Sequence, residues 1–182
     1  VLAPRKLAAE DIAINHTLGF SARQNYLIAR IAKPAFVNVF LGRLNSFVAD
    51  NGLGDGSYVG EKATLASQSA VRRLREEKMT DSRQIGASFR EGAQVRDLAG
   101  IDVMTMPPKV AGEFLSMDVP VEELVDKTSG HYRAGINDES SRKASRLDTL
   151  WHIDDELVSC IERLEKEHIE SFTPADLLDL FE

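Results

Sequence analysis

The chain is predicted to be α/β, of the (β/α)8 barrel type, with only about four βα units present (the second half of a barrel) and helices after them. Three observations predict this. Residues 84–108, QIGASFREGAQVRDLAGIDVMTMPP, hold two short apolar runs, 85–89 and 101–106, around a helical pattern with Ala93, Val95, Leu98 and Ala99 on its apolar side. Strand, helix, strand at that spacing is a parallel βαβ unit, because parallel strands need a crossover. The same plan recurs upstream at 12–20 and 35–40, each run followed by a helical pattern. Finally, the runs end in polar groups, arginines and prolines, and the carboxyl ends of parallel strands are where such folds bind ligands.

Each element has its own signal. Residues 7–11 read as the tail of a helix and 12–20 as the first strand, whose alternation places Asn15 and Thr17 on one face and Ile14, His16 and Leu18 on the other. Ser21 is placed to cap a helix over 22–32, which Lys33-Pro34 ends. Residues 35–40 form the second strand, with Gly42 and Arg43 at its carboxyl end and a short apolar run over 44–49. Gly52, Gly54, Gly56 and Gly60 mark a loop. Their spacing fits no phosphate-cradling glycine motif, and no strand directly precedes them.

A helix is expected over 61–77, with Ala63, Leu65, Ala66, Ala70, Val71 and Leu74 inward and Arg72, Arg73 and Arg75 on a solvated face beside Glu76 and Glu77. Helices at 109–117 and 122–127 follow the fourth strand. Residues 130–148 read as a polar surface excursion, and 150–168 as an amphipathic helix that includes Trp151 and Cys160 as packing residues. Ser171 or Thr173 can cap a last short helix. The expected division is a half-barrel at 1–118 and an excursion with packing helices at 119–182. An open four-strand sheet of this type leaves two hydrogen-bonding edges.

Composition narrows the function classes. The 182 residues are 43% hydrophobic and 28% charged with a net charge of −7. That balance argues against nucleic acid as a general partner, while a few local arginines can still hold one phosphorylated ligand. No apolar run approaches a membrane span, and the beginning is too polar for a secretory signal, so a cytoplasmic protein with no membrane partner is expected. The single Cys160 cannot form an internal disulfide and suits a reducing compartment. His131, His152 and His168 show no metal-ligand spacing, so no metal and no cofactor are expected.

The segments INHTLGFS, VNVFLGR, IGASFR and GIDVMTMPP, in this order and spacing, resemble the second half of the transaldolase family, which includes the transaldolase-like fructose-6-phosphate aldolases. The resemblance covers about 12–115, with a weaker echo in DTLWHIDDELVSCIERL. It implies a (β/α)8 barrel that moves a dihydroxyacetone unit between sugar phosphates through a Schiff-base lysine, a reaction of the pentose phosphate pathway. Asn15 and Thr17 match the family's Asn-x-Thr, which positions substrate and an attacking water. Arg43 and Arg90 match its two phosphate-holding arginines, Ser88 the serine beside the second, and Phe40 an aromatic of the pocket. Asn38 stands where the family usually has serine and Val39 where it usually has proline, departures that bear on hydroxyl recognition and leave the phosphate site untouched.

A Schiff-base enzyme needs a desolvated lysine and proton-shuttling carboxylates. Lys6, Lys33, Lys62 and Lys109 all fall outside the apolar strands, so no Schiff-base lysine is identifiable, and this chain alone is not expected to be active. Its partners are expected to be small sugar phosphates and either an amino-terminal half-barrel or a second copy. The alternative is a non-catalytic sugar-phosphate-binding or structural half-barrel.

Overall fold

The structure is a computed structural model, and it describes residues 2–137 and 147–166. After α1 (Leu2–Ala8), four strands alternate with helices: β1 (Asn15–His16), α2 (Ala22–Ile31), β2 (Phe36–Phe40), α3 (Leu41–Asp50), α4 (Val59–Glu76), β3 (Arg83–Ala87), α5 (Gly92–Asp97), β4 (Val103–Thr105) and α6 (Pro108–Ser116). A short 3-10 turn, Val121–Glu123, and a second, Leu147–Leu150, precede α7 (Asp155–Lys166). The strands form one parallel sheet in sequential order β1-β2-β3-β4, the order a (β/α)8 barrel requires.

Register and alternation divide the sheet into two faces. Asn38 lies opposite Ile85, and Ile85 opposite Val103, so these share a face with Phe40 and Ala87. Val37 and Val39 point the other way, into the helices. Val37 packs with Leu27 and Ile28 of α2, Val71 and Leu74 of α4, and Leu157, Ile161 and Leu164 of α7. Val39 packs with Leu44 and Val48 of α3 and Val59 and Ala63 of α4. A buried polar cluster fastens helix to strand in the same layer. The Asn25 Nδ2 donates to the Asn38 carbonyl at 3.0 Å and to Ser67 Oγ at 2.9 Å, and Ser67 donates to Gln84 Oε1 at 2.5 Å.

Several elements differ from expectation. Ser21 does cap α2, accepting the Gln24 N–H at 3.1 Å. The first strand, expected over 12–20, pairs only through Asn15 and His16. Leu18 takes a left-handed conformation (φ 61°) that ends the extended path, although the Gly19 carbonyl still accepts the Phe40 N–H. The helix after β2 begins directly at Leu41, which moves Arg43 from a strand end to a first helical turn. The expected helix at 122–127 is reduced to the 3-10 turn.

Trp151 is not in a helix. The long apolar period from Leu150 spans a 3-10 turn and a connection, and α7 starts only at Asp155, after the Asp154 carboxylate accepts the Leu157 N–H at 2.8 Å. The Trp151 ring instead lies under the Lys62 ammonium, 4.1 Å away. Cys160 sits half-buried on α7. Of the arginine cluster on α4 only Arg73 is solvated, paired with Glu77; Arg75 makes a bidentate pair with Asp102 at 2.7 and 2.8 Å, and Arg72 bonds Thr128 and the Gly100 carbonyl. Residues 131–137, exposed or half-buried, are tied back to the rest of the chain. Tyr132 stacks on Tyr58 at 4.9 Å and donates to the Asp97 carbonyl, and Gly135 exchanges backbone bonds with Gly56 and Ser57. The expected cap at 171–173 and its helix lie outside the described residues, as does His168.

Candidate functional site

The site is built where β2 and β3 hand over to their helices. Residue 42 is where the two turns meet. A Cβ at Gly42 would collide with the Ser88 carbonyl oxygen and lie 2.8 Å from Arg90 Cγ and 3.0 Å from Arg90 Nε. Only glycine lets the Arg90 side chain run across the first turn of α3, beside Arg43. Arg43 in turn stacks its guanidinium over the Phe40 ring, 5.1 Å from the centroid. Both arginines are exposed, and among the described residues neither forms an ion pair. Helix α3 starts at Leu41 with Phe40 in the cap position and no side chain capping it. Two exposed planar cations thus lie near the uncapped start of a helix.

Ser88 sits in this turn with φ 65°, a left-handed conformation that costs a non-glycine residue about 1–2 kcal/mol. The turn is secured from behind. The Gln94 Oε1 accepts the Arg90 N–H at 2.7 Å and the Glu91 N–H at 3.2 Å.

Asn15 and Asn38 form the floor on the inner face. The buried Asn38 (2% exposed) donates its Nδ2 to Asn15 Oδ1 at 2.7 Å, while its own Oδ1 has no donor. This amide pair fixes which way Asn15 points. Thr17 is exposed on the edge side of the same sheet. His16 points to the opposite face, as alternation requires. Burial lowers its pKa below the ordinary 6.5, and among the described residues its Nδ1 is buried without a partner.

The structure thus brings Arg43, Arg90, Ser88 and Phe40 together around Gly42, and Asn15 with Asn38 beside them. Among the described residues no strand carries a lysine: Lys6 is on α1, Lys62 on α4 against Trp151, and Lys109 on α6. Among the described residues no cluster of three metal-ligating side chains occurs. Sequence reasoning missed Asn45, Glu61 and Gln94, a buried polar group behind the arginines. Gln94 was within reach of local rules, because Glu91-x-x-Gln94 is a capping-box spacing. Nothing local distinguishes Glu61 from an ordinary acidic residue in a first helical turn.

The sequence matches the family model described as Transaldolase/Fructose-6-phosphate aldolase over residues 1–177. Among similar proteins, a transaldolase of Kluyveromyces lactis is 33% identical over 147 residues, which cover 76% of this chain and 43% of that protein. A probable transaldolase of Hyphomonas neptunium is 30% identical over 136 residues, 74% of this chain and 56% of that one. A probable transaldolase of Phenylobacterium zucineum is 34% identical over 112 residues, 60% and 45% respectively. The chain spans about half the length of these relatives.

Proposed function

The chain belongs to the transaldolase/fructose-6-phosphate aldolase family, and from that premise we propose that it supplies the phosphate-binding half of a Schiff-base site acting on sugar phosphates. The observation that carries this is the crossing of Arg90 over Gly42 beside Arg43, with neither guanidinium neutralised by a carboxylate among the described residues. A phosphate dianion offers oxygens that match two planar forks, and such charge-assisted bonds are the strong ones. Asn15 and Thr17, on the inner face, hold the sugar portion and an attacking water, and Phe40 and Ser88 bound the subsite. The lysine that forms the Schiff base and the carboxylates that move its protons come from an amino-terminal half-barrel. That half pairs with the two open edges of this sheet and transfers a dihydroxyacetone unit jointly with it. The working compartment is the cytoplasm.

The absence of a lysine from all four strands favours a second reading, a half-barrel that binds sugar phosphates or assembles without catalysis. Both readings share the phosphate site, which is tested by titrating the chain with inorganic phosphate by calorimetry. Replacing Arg43 or Arg90 by alanine is expected to weaken binding about 10- to 100-fold, since each hydrogen-bonded charge contributes about 1.5–3 kcal/mol. Unchanged affinity in both variants would remove the site assignment.

A further inference from the structure

Glu61, in the first turn of α4, is only 3% exposed, and no cation among the described residues pairs with it. Buried carboxylates are ordinarily paired with a cation, because desolvating the charge is costly. This one is held by two neutral amides. Asn45 Nδ2 donates to its two oxygens at 3.3 and 3.0 Å, and Gln94 Nε2 donates to Oε1 at 2.6 Å.

Each amide uses its other end to hold backbone. The Asn45 Oδ1 accepts the Gly60 N–H at 2.7 Å, where a Cβ at Gly60 would collide with the Leu41 carbonyl. The start of α4 is thereby pinned against the start of α3, the turn that carries Arg43. The Gln94 Oε1 accepts the N–H groups of Arg90 and Glu91, pinning the turn after β3. A carboxylate suits this position because it only accepts, and so can take donors from both sides without presenting one of its own.

We propose that Glu61 is the positioning residue of the phosphate subsite, a buried acceptor that cross-links the Arg43 helix to the Arg90 turn through Asn45 and Gln94. This rests on the reading of Arg43 and Arg90 as the phosphate arginines. Glu61 does not touch the ligand. It sets the spacing and orientation of the two groups that do, and displacement of such groups by about 1 Å can cost around a hundredfold.

The test is the inorganic phosphate titration of the 182-residue chain, run on wild type, Arg43→Ala, Arg90→Ala, Glu61→Ala and Glu61→Gln, with thermal unfolding measured on each. Glu61→Ala is expected to weaken phosphate binding roughly ten- to hundredfold in a protein that still unfolds cooperatively. Glu61→Gln keeps an Oε1 able to accept both amides but turns an NH2 donor toward the other acceptor position, and is expected to recover part of the affinity lost in Glu61→Ala, which a loss of buried charge alone would not do. If Glu61→Ala fails to fold, Asn45→Ala and Gln94→Ala each cut one arm of the link and are expected to weaken binding in its place. Wild-type affinity in Glu61→Ala, or in both arm variants, while Arg90→Ala loses binding, overturns the positioning role and leaves the phosphate site standing. Equal binding by wild type, Arg43→Ala and Arg90→Ala overturns the phosphate site and the inference with it.

Discussion

At the scale of single residues, Ser88 shows how the site stores strain. Its left-handed backbone (φ 65°) costs about 1–2 kcal/mol for a non-glycine residue. Ser88→Gly removes that cost and adds about 0.5–1 kcal/mol of unfolded-chain entropy. The variant is expected to be as stable as wild type or slightly more so in thermal unfolding, yet to bind phosphate more weakly once the hydroxyl is gone. Equal affinity would reduce Ser88 to a turn residue.

His16 makes a second prediction at this scale. Its folded pKa is lowered, so below the ordinary 6.5 the unfolded chain binds the extra proton first. The stability associated with neutral His16 is present above that pH and is lost as pH falls through the lowered folded value. His16→Gln should flatten this part of a pH–stability curve measured by denaturant unfolding, and an unchanged slope would contradict the burial argument. The strand ends near which Asn15 and Arg90 lie were legible in the sequence, whereas Arg43, expected at a strand end, belongs to the first turn of α3. The Asn38–Asn15 amide pair was not legible, since it joins positions on neighbouring strands and depends on register.

Elements bring these residues into reach of one another, and Gly42 is the element-scale determinant. Gly42→Ala pushes the start of α3 away from the Ser88 carbonyl and Arg90, so phosphate binding should be lost before the fold is. Calorimetry and circular dichroism measured together check this, and retained binding would show that the two turns can adjust. At the other end of the sheet, Asp102 ties β4 to β3 and α4. Burial alone would raise its pKa, but Arg75 and the Gln84 N–H outweigh that and hold it below the ordinary 3.8. Its contribution is therefore present above that value and disappears as pH falls through the lowered one. Asp102→Asn is expected to destabilise by about 1–3 kcal/mol near neutral pH, with the difference from wild type shrinking in strong acid.

The helices and central strands followed from periodicity and caps, as at Ser21. What periodicity could not supply was the shortness of β1, set by the turn at Leu18 and by pairing on one side only. It also could not show the break at Trp151, where apolar spacing continues although the helix does not.

For the whole molecule, the four parallel strands read correctly from the sequence, and so did the family. Open edges are the physical consequence of a half-barrel. Exposed apolar side chains occur in the chain on either side of β1, at Leu7, Ile12 and Leu18, and after β4, at Leu115, Val121 and Val125. The most direct measurement is the intact mass of the polypeptide as its own cell makes it, before and after incubation with fructose 6-phosphate and borohydride. A mass about twice the 20.1 kDa of this chain, increased by a reduced three-carbon adduct on a lysine outside residues 1–182, is the predicted result. A polypeptide near 20.1 kDa that acquires no adduct would contradict the Schiff-base account and leave the half-barrel that binds without catalysis.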